Sequence, residues 1–278
     1  MEIKLLALDL DGTLLQSDHA TISPATAQAL TDAVRQGIHV VISTGRARHR
    51  LPEALESIKG IHYAVTANGA SVIDLVTERV IYAKLLSMEA ALESIAILRE
   101  YPLFIQLYSG GYDYVERGQM GYFAQLALSD ERKKSMERGR VIIEDQQKFI
   151  LAHPEGVEKF NVAYLPDAFS EEVWKRIRAV QGVDPTASFP NNIEINAAGV
   201  SKAVGLARLC DELGLTRENV MAMGDSRNDL EMIQFAGFSV AMGNADADVK
   251  TAADAVCASN DEDGVAKTIQ KYLLEPTR

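Results

Sequence analysis

The stretch IKLLALDLDGT, residues 3–13, decides the fold of this chain. Its first six residues are mostly apolar, which is typical of a strand that is covered on both faces of a sheet. The change to Asp, Gly and Thr marks the carboxyl end of that strand, where open α/β sheets bind their ligands. We therefore predict a site here. Asp9 and Asp11 lie two residues apart in it, so that one can act as nucleophile or metal ligand while the other transfers protons.

A second acidic strand end lies in MAMGDSRND, residues 221–229. Its apolar beginning predicts another strand, and Asp225 and Asp229 follow directly. Mg²⁺ prefers carboxylate oxygens and keeps several of its waters, so two acidic strand ends that meet in space would form a magnesium site. The sequence has no cluster of His and Cys that would favour a softer metal. Each acidic loop alone fits solvated turn residues or a helix cap equally well, because Asp and Asn favour both positions.

Two further residues are candidate phosphate contacts. Thr44 follows the apolar run VVIS and offers a hydroxyl group together with neighbouring backbone N–H groups. Lys202 lies where GVSK, residues 199–202, opens a helix, and it offers a mobile charge near the helix N-terminus. Taken singly, both have ordinary explanations, since a Ser/Thr-Gly turn after a strand is common and such a lysine is usually a surface residue.

Composition and charge limit the classes of function and of partner that this chain can have. The chain has 278 residues, of which 47% are hydrophobic, enough for two domains with a sizeable core. Its net charge of −11 disfavours nucleic acid or an anionic membrane as partner, because both call for a basic surface. Cys210 and Cys257 are too few for a disulfide framework, and the first residues lack the pattern of a signal peptide. We expect a cytoplasmic protein with a small-molecule partner; the sequence does not predict the oligomeric state.

Strands alternate with helical patterns in the first and last parts of the chain, which predicts an α/β fold with a parallel sheet. Strands are expected at 3–9, 38–44, 63–67, 220–224, 238–241 and 255–257, and helices at 24–36 and 263–275. Between residues 84 and 192 the pattern changes to strand pairs interleaved with helices, which favours an antiparallel sheet with helices on one face. We expect a core formed by residues 1–83 and 193–278 and an inserted α+β domain at 84–192.

Six runs, in their order along the chain, resemble the haloacid dehalogenase (HAD) superfamily and, within it, the Cof-type sugar-phosphatase-like branch. They are ALDLDGTLL at 7–15, VVISTGR at 40–46, TANGA at 66–70, IEINAAGVSKAVGL at 193–206, MGDSRNDLEMI at 223–233 and AMGNA at 241–245. Each run is short, but their fixed order is specific, and the resemblance spans nearly the whole chain. It implies a Rossmann-like parallel sheet core with helices on both faces, with residues 84–192 as a cap domain that determines substrate specificity.

The resemblance also implies a role for each acidic residue. Asp9 would attack the phosphorus and form an aspartyl-phosphate. Asp11 would protonate the leaving alkoxide and then take a proton from the attacking water, while its backbone carbonyl would bind Mg²⁺. Asp225 would complete the Mg²⁺ ligands supplied by Asp9 and Asp11, and Asp229 would act just outside as an orienting acid.

The same resemblance implies a set of phosphate-binding residues, namely Leu10, Thr44, Gly45, Lys202 and Asn228. Thr44, with the amide of Gly45, would hold a phosphoryl oxygen. Lys202 would offset the negative charge gathered by Asp9 and the phosphate, and Asn228 would orient the phosphoryl group.

From these roles we expect an enzyme, a Mg²⁺-dependent phosphatase of small phosphorylated metabolites, with sugar phosphates as the first candidates. Two alternatives remain open. A phosphomutase would use the same Asp9 to move a phosphoryl group between two sugar positions, and product analysis separates it because hydrolysis releases inorganic phosphate. A binding module without turnover is the other alternative, and the complete set of catalytic residue types argues against it.

Two groups of basic residues need an interpretation. Arg46 follows Thr44 closely, so a position facing the active cleft and a position facing solvent are equally consistent with the sequence. The five histidines are scattered without metal-ligand spacing, and we interpret them as structural or surface residues rather than as parts of a site. They are His19, His39, His49, His62 and His153.

Overall fold

A computed structural model describes residues 2–126, 130–137, 139–189 and 191–274 of the chain. The chain divides into two compact units. The first unit comprises Met1–Gly45, Leu51–Tyr82 and Ser201–Arg278, and the second comprises Arg46–Arg50 and Ala83–Val200. None of the helices in the described residues is long and apolar enough to cross a membrane.

Strands and helices alternate along both units. The strands are β1 Leu5–Leu8, β2 His39–Ser43, β3 Tyr63–Thr66, β4 Ser71–Asp74, β5 Val80–Ala83, β6 Ile105–Ser109, β7 Tyr112–Glu116, β8 Arg140–Ile143, β9 Lys159–Val162, β10 Val183–Thr186, β11 Ile193–Ala197, β12 Val220–Gly224, β13 Phe238–Ala241 and β14 Ala255–Val256. The helices are α1 Pro24–Arg35, α2 Met88–Leu98, α3 Met120–Gln125, α4 Asp130–Glu137, α5 Gln146–Leu151, α6 Asp167–Ala179, α7 Lys202–Leu213, α8 Leu230–Phe235, α9 Ala247–Ala252 and α10 Gly264–Ile269.

The sheet of the first unit has the strand order β14-β13-β12-β1-β2-β3-β4-β5. Neighbouring strands from β14 to β3 are parallel, and β4 returns antiparallel to β3. Every residue of β1 is buried, so both faces of the sheet are covered, as the apolar run of this strand predicts. Because parallel strands end at the same edge, the loops after β1, β2 and β12 lie side by side. The predicted α/β fold class is confirmed.

Two helices of the first unit begin where their sequences provide caps. Ser23 precedes α1, and its side chain accepts a hydrogen bond from the backbone N–H of Thr26, with Pro24 at the first helical position. Ser201 caps α7 in the same way through the N–H of Val204. The cap fixes the start of α7 and thereby places Lys202 on its first turn.

The sheet of the second unit has the strand order β10-β11-β9-β6-β7-β8. Four of its five strand pairs are antiparallel, as predicted, but β8 runs parallel to β7. The connection between these two strands contains α3 and α4, and a parallel pair needs a crossover of such length. Strand β11 pairs with β9 and β10, so residues 193–200, which the sequence assigned to the core, belong to the second unit instead.

Polar side chains occupy one face of this second sheet. Directly paired residues share a face, and the pairs Gln106 with Asn161 and Asn161 with Glu194 join three neighbouring strands. Asn161 donates to Gln106 at 2.7 Å, and the buried ammonium of Lys159 lies 2.5 Å from Glu194. A buried face of this composition is unusual for a sheet that serves only as a core, because unpaired polar groups are costly there.

Candidate active site

Asp9 stands directly after β1, and its backbone N–H donates to the carbonyl of Met223 at 3.1 Å. The chain then turns widely over Leu10–Leu14, where the N–H of Leu14 reaches the carbonyl of Asp9 at 3.2 Å. The side chain of Leu10 is fully buried in the core. This turn closes against the loop after β12, since the hydroxyl of Thr13 donates to Oδ1 of Asp225 at 2.7 Å.

Gly12 is required at the centre of that turn. Its φ of +81° lies in the left-handed region that favours glycine. A Cβ atom at this position would lie 2.4 Å from Oδ2 of Asp225, which is shorter than any normal contact. The carbonyl of Gly12 accepts a hydrogen bond of 2.8 Å from the side chain of Asn244. The absence of a side chain therefore lets the two acidic loops approach each other.

Lys202 connects the loop after β1 with the loop after β12 through ion pairs to Asp9 and Asp229. Its ammonium nitrogen lies 2.6 Å from Oδ1 of Asp9 and 2.6 Å from Oδ1 of Asp229, and its side chain is completely buried. Burial alone would lower the pKa of Lys202, but the attraction of Asp229 and Asp9 outweighs it and raises the pKa overall. The lysine is therefore a permanent cation at the base of the site rather than a surface residue.

Asp229 is held in place by its own loop. Its Oδ2 accepts hydrogen bonds of 3.0 Å from the backbone N–H groups of Asp225 and Ser226, while its Oδ1 contacts Lys202. A Cβ atom on Gly224 would lie 2.6 Å from Cβ of Asp229, so the chain passes too close here for a side chain. Both oxygens of Asp229 are thus engaged in organising the loop after β12.

Three carboxylates come together at the carboxyl ends of β1 and β12. One oxygen each from Asp9, Asp225 and Asp229 lie within 4.8 Å of one another. Hard carboxylate oxygens at this spacing suit Mg²⁺. Asp9 and Asp225 are the better ligands of the three, because Asp229 already uses both oxygens. The side chain of Asp11 is not part of this cluster. The sequence analysis included Asp11 among the metal ligands through its backbone carbonyl.

The electrostatics of the cluster also fit a cation. Burial raises the pKa of Asp9 well above its usual range; Lys202 lowers it in part, and the neighbouring carboxylates raise it further. Burial, followed by repulsion from Asp229, raises the pKa of Asp225 to about 7 despite the hydrogen bond from Thr13. Without a cation, these carboxyl groups resist ionisation. A divalent ion at this position would favour their charged forms.

The loop after β2 meets the loop after β3 beside this cluster. The N–H of Thr44 donates to the carbonyl of Val65 at 2.8 Å, and the N–H of Asn68 donates to the carbonyl of Thr44 at 3.0 Å. Thr44 is buried, and Gly45 follows it at the end of the first segment of the unit. The backbone pairing therefore fixes the position of Thr44 next to the loop after β3.

Asn68 and Asn228 connect this loop to the loop after β12. The amide nitrogen of Asn228 lies 3.3 Å from Oδ1 of Asn68, and the hydroxyl of Ser226 donates to Oδ1 of Asn228 at 2.8 Å. Asn68 has a φ of +59°, a conformation that asparagine tolerates better than most residues. The sequence analysis assigned Asn68 no role of its own, although the motif TANGA that contains it carried part of the resemblance.

His19 lies beside the second aspartate of the motif. Its Nδ1 is 3.0 Å from Oδ1 of Asp11, and both side chains are about one-third exposed. The sequence analysis interpreted His19 as a structural or surface residue rather than as part of a site, whereas the structure places its imidazole in contact with Asp11. The sequence could not show the contact because it depends on the path of the loop that follows β1. Arg46 belongs to the second unit, where its guanidinium donates to the carbonyl of Arg50 at 3.4 Å.

Comparison with known proteins identifies the family. Haloacid dehalogenase-like hydrolases match residues 6–269 of this chain. The Bacillus subtilis 5-amino-6-(5-phospho-D-ribitylamino)uracil phosphatase YcsE is 36% identical over 274 residues, which cover 99% of this chain and 97% of that protein. The solved structure of a haloacid dehalogenase-like hydrolase from B. subtilis has a TM-score of 0.83 at 31% identity and covers 98% of this chain and 100% of its own. A sugar phosphatase of HAD subclass IIB has a TM-score of 0.78 at 26% identity, with 97% and 98% covered.

The chain belongs to the haloacid dehalogenase-like hydrolases. This confirms the family that the six sequence runs predicted. It also confirms the predicted enzyme class: the protein is a HAD-type phosphatase, a hydrolase of phosphoric monoesters. The fold of the solved relatives agrees with the α/β core and the second sheet described above.

Proposed function

We propose that this protein is a Mg²⁺-dependent phosphatase that hydrolyses small phosphorylated metabolites, with sugar phosphates first among them, through an aspartyl-phosphate. The pairing of Asp9 with Lys202 carries this proposal. It joins a carboxylate at a strand end to a buried cation 2.6 Å away, with a second acid, Asp11, two residues further on. A nucleophile held next to a permanent positive charge suits attack on a negatively charged ester. The cytoplasmic location expected from the sequence belongs to the same proposal.

In the first half of the reaction, an oxygen of Asp9 attacks the phosphorus of the ester. The bond between phosphorus and the leaving oxygen breaks as the bond to Asp9 forms, and Asp11 gives its proton to the leaving oxygen. The products of this half are an alcohol and the aspartyl-phosphate. Lys202 stays protonated throughout and offsets the charge that gathers around Asp9.

In the second half, Asp11 takes a proton from a water molecule that attacks the same phosphorus. The bond between phosphorus and Asp9 breaks, which releases inorganic phosphate and restores the carboxylate. Thr44, Gly45 and Asn228 lie on the loops that would hold the phosphoryl oxygens during both steps, together with Leu10. Asp11 therefore acts as acid and then as base, returning to its starting form after one turnover.

The carboxylates of Asp9 and Asp225 and the backbone carbonyl of Asp11 would hold the magnesium ion. When bound, Mg²⁺ would neutralise charge on the phosphoryl oxygens. Thr13 and Asp229 support this ligand set, since Thr13 donates to Asp225 and Asp229 accepts from the backbone of the same loop. The raised pKa values of Asp9 and Asp225 provide the electrostatic argument for a cation here.

The second unit and the relatives support the proposed substrate class. YcsE is named for a phosphorylated ribityl compound, and one structural relative is named as a sugar phosphatase. The polar face of the second sheet, with Gln106, Asn161 and Glu194, has the hydrogen-bonding groups that a polyol needs. We assign substrate choice to this second unit, the cap of the sequence analysis, and Arg46 belongs to it.

A metabolite panel tests the proposal. Purified protein is assayed for release of inorganic phosphate from sugar phosphates, pyridoxal phosphate and 5-amino-6-(5-phospho-D-ribitylamino)uracil, with Mg²⁺ and with EDTA. We expect release from at least one sugar or polyol phosphate that EDTA abolishes. Transfer of phosphate to a second sugar position without net release would establish a phosphomutase instead. Full activity in EDTA would exclude the metal assignment.

A further inference from the structure

The loop of residues 16–21, which follows the turn Leu10–Leu14, places His19 next to Asp11. The Nδ1 atom of His19 lies 3.0 Å from Oδ1 of Asp11, a normal hydrogen-bond distance. His19 has a φ of +57°, in the left-handed region that is uncommon for residues other than glycine, although His, Asn and Asp adopt it more often than the rest. An ordinary extended or helical residue would carry its side chain in a different direction. The contact with Asp11 thus depends on an uncommon backbone conformation.

The loop residues themselves enforce this conformation. The N–H of Gln16 donates to the carbonyl of Thr21, and the N–H of His19 donates to the carbonyl of Gln16, both at 2.9 Å. Oδ1 of Asp18 accepts from the N–H groups of Ala20 and Thr21, again at 2.9 Å each. Side chain and backbone together close residues 16–21 into a compact turn with His19 at its tip.

A distant segment of the first unit fixes the loop from outside. The N–H and the hydroxyl of Ser17 donate to the two oxygens of Asp261, at 2.9 and 2.5 Å, although 244 residues separate them in sequence. The side chain of Asn260 donates to the carbonyl of Leu15 at 2.8 Å. Because the beginning of the loop is bonded to this segment, the imidazole is held over Asp11 rather than free to move with a flexible chain.

We propose that His19 is a positioning residue for Asp11. Its Nδ1–H donates to Oδ1 of Asp11 and holds the carboxyl group in one rotamer, so that the other oxygen exchanges the proton with the leaving group. His19 itself neither gains nor loses a proton in the reaction. The inference rests on the proposed acid and base role of Asp11 and adds to it the residue that orients that acid.

The expected size of the effect follows from the geometry of proton transfer. Asp11 is partly exposed, and a carboxyl group on a turn can rotate about two side-chain bonds. General acid catalysis contributes about 10² to 10⁴ in rate, and it depends on the donor being within hydrogen-bond reach of the leaving oxygen. Loss of the orienting bond should remove part of this factor, roughly 10-fold to 100-fold.

Three variants at the same position separate the imidazole from the backbone. His19→Ala removes the donor and disfavours the left-handed conformation, whereas His19→Gly removes the donor and keeps that conformation accessible. His19→Asn keeps a nitrogen donor near the place of Nδ1 and tolerates the same backbone. kcat/KM is measured with p-nitrophenyl phosphate and with an alkyl phosphate that the wild type hydrolyses, because this parameter reports the step in which the leaving group departs.

We expect kcat/KM of His19→Ala and His19→Gly to fall roughly 10-fold to 100-fold on the alkyl phosphate and at most a few-fold on the activated aryl ester. His19→Asn should restore most of the alkyl phosphate activity. Glu78→Ala is the matched control, since Glu78 is exposed and also has a left-handed φ, of +62°. It should leave kcat/KM on both substrates unchanged. Any change would measure the general effect on activity of placing alanine in a left-handed backbone conformation.

Two results would overturn the proposal. One is equal loss, or no loss, on both substrates in His19→Ala and His19→Gly. The other is an Asn variant as poor as the Ala variant. Asp11→Asn, measured in parallel, distinguishes this failure from a failure of the proposed function: if it shows the leaving-group dependence and the His19 variants do not, only the positioning role is lost. If Asp11→Asn lacks that dependence as well, the role of Asp11 and the inference fail together.

Discussion

The ammonium nitrogen of Lys202 lies 2.6 Å from Oδ1 of Asp9, across 193 residues of sequence. Both side chains are buried, and the lysine contacts Asp229 at the same distance. An ion pair of this kind is costly to desolvate, so it is weak evidence for stability. In the proposed mechanism this pair has a chemical purpose, because a nucleophilic carboxylate needs a nearby positive charge when its substrate is an anion.

Asp9→Asn should therefore abolish turnover while the protein remains folded. The amide cannot form the aspartyl-phosphate, and we expect kcat to fall by at least about 10⁴-fold. Phosphate release from p-nitrophenyl phosphate measures the loss, and Asp32→Asn, a change at a partly exposed aspartate of α1 that pairs with Arg35, is the control. Turnover within tenfold of wild type in Asp9→Asn would rule out the nucleophile assignment.

The proposed roles of Asp9 as nucleophile and Asp11 as acid and base give a second prediction. If Asp11 protonates the leaving group, Asp11→Asn should reduce kcat/KM on an alkyl phosphate far more than on an aryl phosphate, whose leaving group needs little protonation. We expect the ratio of the two losses to be at least about 10. Equal losses on both esters would point to a role in metal binding or structure alone.

The metal-free site predicts a characteristic pH dependence. Asp9 and Asp225 have raised pKa values in the folded protein, about 7 for Asp225, whereas carboxyl groups of the unfolded chain titrate near about 4. Between these values the folded protein binds more protons than the unfolded chain does. The free energy of unfolding of the metal-free protein should therefore decrease as pH rises through this window.

Mg²⁺ should reverse this trend, since it binds the ionised carboxylates. We expect the rise in Tm on adding Mg²⁺ in place of EDTA to be clearly larger at pH 8 than at pH 5.5. Thermal unfolding at both pH values measures it, and Asp225→Asn should remove most of the difference. A rise in Tm that is the same at both pH values would contradict the metal assignment of Asp9 and Asp225.

Gly12 provides a test of the close approach between the two acidic loops. Gly12→Ala places a Cβ atom 2.4 Å from Asp225, in a backbone with φ of +81°. Gly37 is a matched control, because its φ is +84° and nothing lies within 4 Å of an added Cβ. Gly37→Ala should cost about 1–2 kcal/mol in the free energy of unfolding and leave kcat unchanged. Gly12→Ala should cost more and weaken Mg²⁺ binding as well; equal behaviour of the two variants would show that the contact with Asp225 is unimportant.

Much of the site could be predicted from the sequence because parallel strands end at one edge. Apolar runs before Asp9, Thr44 and Asp225 predicted three such strands, and the sheet brings their ends together. The capped start of α7 accounts for Lys202 in the same way. These predictions depended on local patterns and on one topological rule, both of which are readable along the chain.

The rest depended on contacts between segments that no local pattern specifies. His19 reaches Asp11 only because its backbone has a left-handed conformation and its loop is hydrogen-bonded to Asp261. The end of the inserted unit differs for a related reason: the run IEINAAGVSKAVGL, residues 193–206, was assigned to the core, but β11 within it pairs with β9 and β10. Strand partnership is a tertiary property, so hydrophobic alternation alone could not assign residues 193–200 to the second unit.

The last prediction concerns the source of substrate specificity. The motif residues that we assign to phosphate, metal and nucleophile lie in the first unit, whereas the polar face with Gln106, Asn161 and Glu194 lies in the second. Groups that bind phosphate and metal are common to all esters and cannot rank them, so the ranking should come from the second unit. Replacing Ala83–Val200 by the matching segment of a HAD sugar phosphatase with a different ranking should transfer that ranking.

The chimera is compared with both parents across the same sugar phosphates, with p-nitrophenyl phosphate as the common reference. We expect its kcat/KM on the aryl ester to stay within about tenfold of this protein, because Asp9, Asp11, Lys202 and the proposed metal ligands are unchanged. Its order of preference among sugar phosphates should follow the donor of the segment. If the order instead stays that of the present protein, the first unit selects the substrate, and the polar face of the second sheet must then be explained as a structural network.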